Sequence, residues 1–203
     1  MDRNLIIAGS RRKRKTDATR RRLYDSAIRL FQRQGYESTT VQDICNIADT
    51  AKQTFFNYFP SKEHILAAYH EELIRGIFAE LSELPSGSPR RMALSAMRIF
   101  AAGAEKSVSI SRTILRHVFS NDVLKVTDQK NEAKIHSWFQ ARFRDSVLRG
   151  ELHPGMDVAL LTSVVMSVLS STVQEWIVSE ESFDLENSLV RRVRFLLDLG
   201  RKK

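Results

Sequence analysis

The sequence predicts an all-α protein of about nine helices, and three observations carry that expectation. Helical spacing of apolar residues recurs in almost every segment, two-residue alternation is nearly absent, and only 8 Gly and 4 Pro interrupt 203 residues. With 42% hydrophobic and 28% charged residues, the chain can bury a core and is no disordered polymer. Cys45 is the single cysteine, which excludes an internal disulfide framework and suits a reducing compartment. No run of about 18 consecutive apolar residues occurs. The short apolar stretch 5–8 precedes the basic cluster at 11–15, the reverse of a secretory leader. The expectation is a cytoplasmic protein with no membrane partner.

Each element can be justified in order. Residues 1–15 read as a disordered basic arm. Thr16 then offers an N-cap and Asp17 a first-turn acid, and Leu23, Ala27, Leu30 and Phe31 form one helical face. Gly35 ends that helix as a residue free to take positive φ. Thr39-Thr40 opens a short second helix, with Gln42 or Asp43 placed for a capping box and Val41, Ile44, Cys45 and Ala48 as its face. A turn at 49–51 leads to a third short helix from Lys52 to about Phe59, which Pro60 stops. Ser61 caps a fourth helix reaching about Leu84, and the stretch 85–89 is the clearest loop. Beyond it, helices are expected near 89–105, 107–120, 128–149, 156–180 and 184–199. The domain expectation is therefore an arm (1–15), a helix-turn-helix domain (16–66) and a helical body (67–203).

Charge divides the chain unevenly. Residues 1–62 carry 13 Lys and Arg against 6 Asp and Glu, whereas residues 63–203 carry 19 against 18. A basic first third joined to a neutral body points to nucleic acid or a membrane surface. The basic cluster lacks a matching apolar face, so DNA phosphate or the minor groove is the better match, with a merely solvated charge run as the plain alternative.

Residues 39–59 supply the chemistry. Two short helices joined by about three residues form the helix-turn-helix pattern, whose second helix enters the major groove while the first braces it. Asp49 in the turn is expected to take left-handed φ, which Asp tolerates better than most residues. Phe55 and Phe59 can pin the recognition helix inward and leave Lys52, Gln53, Thr54, Asn57 and Tyr58 facing out.

Those residues carry a resemblance. Thr39-Thr40-Val41, Ile44 and Ala48, followed by Lys52, Thr54-Phe55-Phe56-Asn57-Tyr58-Phe59-Pro60-Ser61-Lys62-Glu63, resemble the DNA-binding domain of the tetracycline-repressor (TetR) family. The upstream Ala27, Leu30-Phe31 and Gly35-Tyr36 are similar to that family's first helix and its glycine end, so the match spans about residues 16–66. The sequence departs from the family pattern in three places: Asp49-Thr50-Ala51 replaces a commonly glycine-led turn, Gln53 stands where Gly is common, and Phe56 replaces a usual Tyr. The resemblance implies that Gln42, Lys52, Gln53, Thr54 and Asn57 meet base edges, with Gln and Asn suited to bidentate adenine contacts. It implies phosphate contacts at Thr40, Tyr58 and Lys62, which position the domain without reading sequence. Arg14 and Arg20 of the basic segment are the candidate arm contacts.

For the body, the resemblance implies effector binding and dimerisation. Phe78, Phe100, Leu115, Phe119, Phe139, Phe143 and Trp176, with Met97, Met166 and Trp138, are candidates to line an apolar pocket, and each also reads as plain core. His117 is the candidate polar contact, with Glu105, His136 and Gln174 behind it. No cofactor is expected, and the five histidines lack metal-ligand spacing. Two stripes are expected to build a dimeric four-helix bundle: Leu161, Val165, Val168, Thr172 and Trp176, interleaved with small Ser163, Ser167, Ser170 and Ser171, and Val190, Val193 and Leu197, flanked by Leu189 and Leu196. Glycine-rich phosphate loops and nucleophile elbows are absent, so no enzyme is expected. The reading is a homodimeric repressor released from a palindromic DNA operator by a small, largely apolar effector. The alternative is a constitutive, effector-independent architectural DNA-binding protein.

Overall fold

The structure is a computed structural model. It describes residues 3–85, 87–179 and 183–199, with side-chain surroundings described from residue 16 to 198. Among the described residues the chain forms nine helices and no strand: α1 Arg3–Gln34, α2 Val41–Ile47, α3 Lys52–Tyr58, α4 Lys62–Ser82, α5 Pro89–Glu105, α6 Val108–His117, α7 Asp122–Leu148, α8 Val158–Val178 and α9 Leu185–Leu199. Two compact units divide at 68/69, within α4, two residues beyond the expected 66/67.

Unit 1 holds α1 to α3 and the start of α4. Leu23, Ala27, Leu30 and Phe31 of α1 are buried with Ile44, Cys45, Ala48, Phe55, Phe59, Ile65 and Leu66. Gly35 has φ +85° and leaves the helix as expected, while its carbonyl accepts the hydroxyl of buried Thr39 at 2.7 Å. The expected disordered arm is corrected where it is described, because α1 is helical from Arg3 and Thr16 caps nothing. Residues 3–15 contain no proline and one glycine, and Ala, Leu, Arg and Lys favour helix, so the packed segment propagates backward. Residues 1–2 of that expected arm lie outside the described residues.

Unit 2 packs α5 against α9 and α8 against both α7 and α9. Its core includes Met97, Phe100, Phe139, Phe143, Val165, Trp176, Leu189 and Val193. Gly103 allows a close approach, since a Cβ there would stand 2.7 Å from Ile77 Cδ1. Arg90 of α5 donates to both carboxylate oxygens of Asp198 at 2.9 and 3.2 Å, fastening the two helices' exposed edges.

Helix α7 starts earlier than the expected residue 128. Asn121 caps it, its side-chain oxygen accepting from the Leu124 amide at 3.1 Å, and Asp122 complements the dipole. The Asn-Asp pair that reads as a break is therefore a helix start. Helix α8 is rich in Val and Leu, interspersed with Ser and Thr. By length and composition it is apolar enough to cross a membrane, and 28% of that stretch is buried. Its Ser and Thr residues lower the hydropathy little, and the Thr162 and Thr172 hydroxyls donate to carbonyls four residues back at 2.7 Å.

Candidate nucleic-acid interface

The turn between α2 and α3 is built by local chemistry. Thr40 caps α2, and a capping box forms with Asp43: the Asp43 amide donates to the Thr40 hydroxyl at 3.1 Å, and the Thr40 amide donates to the Asp43 carboxylate at 2.9 Å. That carboxylate also accepts the Thr40 hydroxyl at 2.7 Å. These hydrogen bonds hold the Asp43 carboxyl below the usual carboxylate range. Asp49 adopts φ +48°, the only non-glycine positive φ among the described residues, and turns the chain into α3.

Phe55 and Phe59 fix the orientation of α3. They are buried, with ring centroids 6.1 Å apart, and Arg20 of α1 lies 5.0 Å over the Phe59 ring. The opposite face presents Lys52, Gln53 and Asn57 exposed, with Thr54 and Tyr58 half-buried at its margins. Gln53 donates to the Asn57 side-chain oxygen at 3.5 Å, one helical turn along, and on α2 exposed Gln42 donates to Asn46 at 2.8 Å. Phe56 is 47% exposed and meets Phe55 edge-on.

A second network locks α4 to the end of α1. Buried Tyr36 donates its hydroxyl to Glu63 at 2.6 Å, and the Lys62 ammonium donates to the carbonyls of Tyr36 and Thr39 at 3.0 and 2.6 Å. Lys62 also stands 4.3 Å over the Tyr36 ring. Burial raises the Tyr36 hydroxyl, and the Glu63 carboxylate raises it further. For Glu63, burial works upward but is outweighed by hydrogen bonds from Ser61, Tyr36 and its own backbone amide and by the Lys62 charge, so its carboxyl sits below its ordinary range.

The structure thus places the expected DNA contacts in three groups. Lys52, Gln53, Thr54, Asn57 and Tyr58 share the outward side of α3, with Gln42 on the brace. Thr40 and Lys62 have donors committed inside the unit: Thr40 caps a helix, and Lys62 uses two of its three N–H groups on the turn. Arg20 is exposed beside α3, and the Arg14 side chain lies outside the described ones.

The expected effector residues in unit 2 separate similarly. Phe100, Phe139 and Phe143 stack into one core ladder, with centroids 6.2 and 5.9 Å apart, and Trp176 is buried under Arg112. Leu115 packs at the edge of that core. Phe119 is corrected: it is 79% exposed, because α6 ends at His117 and the ring lies beyond the helix face that packs. His117 is half-buried and accepts, through its carbonyl, from the amides of Ser120 and Asn121. Phe78 does line a cavity, an open groove of about 600 Å³ shared with Ala133, Lys134, Ser137 and Trp138. The expected dimer stripes are also corrected in part. Val165, Thr172, Trp176, Val190 and Val193 are buried within the chain, and the exposed face of α8 carries Leu160, Ser163, Ser167, Ser170, Ser171, Gln174 and Val178.

Sequence reasoning missed His70 and Asn131, both buried polar residues of unit 2. Asn131 stands in the four-residue register Thr127, Asn131, Ile135, Phe139, Phe143, a polar residue on an apolar stripe. That signal was present but hidden by starting the helix at 128.

Two short helices around a positive-φ turn, a pinned recognition helix and a polar outward face define a helix-turn-helix DNA-binding regulator. The family described as bacterial regulatory proteins, tetR family, matches residues 23–69. Over 202 residues the chain is 23% identical to the HTH-type transcriptional regulator TtgR of Pseudomonas putida, covering 94% of this chain and 95% of that one. It is 24% identical to the fatty acid metabolism regulator protein of Bacillus subtilis, covering 80% of this chain and 86% of that one. Among solved structures, the TetR-family repressor FadR of Thermus thermophilus in complex with lauroyl-CoA shares the fold with a TM-score of 0.72 at 21% identity, over 91% of this chain and 96% of that one. Residues 23–69 therefore carry the DNA-binding domain of the tetR family, and along its length the chain is similar to transcriptional regulators of that family.

Proposed function

We propose that the chain is a cytoplasmic homodimeric repressor that holds a roughly palindromic operator and releases it when a small, largely apolar effector enters unit 2. The observation that carries this reading is the outward face of α3, where Lys52, Gln53 and Asn57 stand exposed while Phe55 and Phe59 hold the helix from behind. Gln53, Asn57 and Gln42 supply donor–acceptor amides for base edges, with Thr54 beside them, and Lys52, Tyr58, Arg20 and Arg14 supply phosphate contacts. Thr40 and Lys62 serve this interface by holding α2 and α4 in place.

Dimerisation is supported by α8. Leu160 and Val178 are 61% and 78% exposed, and the serines between them allow close approach of a second helix. Phe195 of α9 is 67% exposed as well. A two-fold dimer would place recognition helices on half-sites about 34–36 Å apart, one helical turn of DNA. An apolar effector is supported by the groove at Phe78 and Trp138 and by the lauroyl-CoA held by the similar Thermus repressor. Such an effector acts only through its differential affinity for the DNA-competent and released states.

The test is selection of bound duplexes from a random DNA library with the full chain, read by sequencing. A palindromic consensus with two half-sites is expected. Binding without a consensus would support a constitutive architectural protein, and a single unpaired half-site would overturn the dimer.

A further inference from the structure

We infer that unit 2 recognises its effector through an uncharged hydrogen-bonding head, held where α4 and α7 bring His70, Asp128 and Asn131 together; this rests on the effector-responsive reading above. Asn131 is 1% exposed on the buried face of α7, and neither its amide nitrogen nor its oxygen has a protein hydrogen-bond partner. His70 of α4 is 8% exposed, and its Nδ1 has none either. A buried polar atom left unpaired is costly, and folding tolerates three in one place most readily where something else pairs with them. Asp128 ties the cluster together. Its carboxylate stands 3.8 Å from His70 Nε2, and it lies three residues before Asn131 on the same helical face.

The chemistry of the head follows from the charges. Burial pushes His70 down to about 4, so it is neutral at pH 7, and its contact with Asp128 is then no ion pair. Burial, and secondarily Glu132, raises the Asp128 carboxyl. The cluster offers no cation, so a carboxylate or phosphate head would meet Asp128 unopposed, while an ammonium head, having no acceptor, would leave the buried Asn131 amide nitrogen unpaired. Asn131 offers one donor group and one acceptor, which match a carboxamide, lactam or similar neutral head. The apolar body has a place on the same two helices. Phe78 and Trp138 of the groove lie eight and seven residues further along α4 and α7, about 10–12 Å at the α-helical rise. Helix α4 also supplies Glu63 and Lys62 to the network in unit 1, so a ligand held at His70 engages the helix that anchors the DNA-binding unit.

Octanamide, octanoate and octylammonium share a chain and differ in the head, so titration of each into the full chain at neutral pH, followed by tryptophan fluorescence, tests the inference. Octanamide should bind about ten-fold or more tighter than either charged probe, and Asn131→Leu should remove about that factor. The same variant should unfold at a higher temperature without ligand, because its unpaired amide is gone. His70→Gln, which keeps a neutral donor and acceptor, should hold octanamide better than His70→Leu. Equal binding of the three probes, preference for a charged head, or no octanamide binding would overturn the inference. So would an Asn131→Leu protein that is more stable yet binds octanamide unchanged, since a buried water alone would then satisfy the amide. Binding of the selected operator by the same samples is read separately, so the regulator reading can survive any of these results or fail without them.

Discussion

Removing one oxygen from Tyr36 should measure how firmly the DNA-binding unit is locked. In Tyr36→Phe the ring remains, with its edge-on contact to Phe31 at 5.1 Å, and the hydroxyl is lost with its 2.6 Å hydrogen bond to Glu63. A hydrogen bond to a charged group contributes about 1.5–3 kcal/mol, and Glu63 is only half-buried and keeps Ser61, so about 1.5 kcal/mol is the expected loss. For a chain of 203 residues that corresponds to a Tm lower by about 3–6 °C. The pH dependence gives the sign. Tyr36 helps hold the Glu63 carboxyl below its ordinary 4.5, so the stability it adds is complete above 4.5 and is lost as pH falls through the lower folded-state value. Thermal melts of both proteins should therefore differ fully at pH 7 and converge in acid. Coincident melts at pH 7, or a difference that persists unchanged in acid, would refute the argument.

Three further outcomes test other parts of the structure. Lys62→Met should lower stability by taking the ammonium donor from the Thr39 carbonyl and one of two donors from the Tyr36 carbonyl, yet leave the slope of log affinity against log salt unchanged; a slope smaller by about one would restore Lys62 as a phosphate contact. Because His70 titrates near 4 when folded and near 6.5 when unfolded, stability is complete above 6.5 and falls by up to about 3 kcal/mol as pH drops through that window, offset partly by protonation of Asp128. Denaturant titrations at several pH values should show that fall in the wild type and a flatter limb in His70→Leu. Phe119→Ser should change stability by about 0.5 kcal/mol or less, whereas Phe139→Ala should cost about 3–5 kcal/mol, and equal effects would mean that the exposed ring is packed in solution.

What the sequence made legible was whatever short-range chemistry decides. The capping box at Thr40 and Asp43, the left-handed Asp49, the stop at Pro60 and the inward pair Phe55 and Phe59 are each set by residues within a few positions of one another. The outward face of α3 follows from the same spacing, so most of the candidate DNA contacts are legible in the sequence. Lys62 and Thr40 mark where that reasoning stops. Their side chains are hydrogen-bond donors at the expected places, but whether a donor is free for a phosphate depends on its surroundings. For Lys62 those surroundings are carbonyls 23 and 26 residues away.

The helical body was legible as helices and not as surfaces, and α8 shows the physical reason. A stripe such as Val165, Thr172 and Trp176 has the same pattern whether it covers its own chain or another copy, because periodicity records that a face is buried and not what buries it. In this chain the stripe is covered by α7, α9 and α6, which moves the candidate dimer surface to the serine-lined face bearing Leu160 and Val178. Length and apolar composition would also admit that helix to a membrane, but Gln174 and Glu175 lie within it and Glu175 is held by Arg192 of α9. A face of small hydroxyl residues ended by single large apolar ones is suited to close packing against a protein helix, whereas lipid tails would gain nothing from its serines. The exposed area of α8 is the surface that the proposed dimer would use.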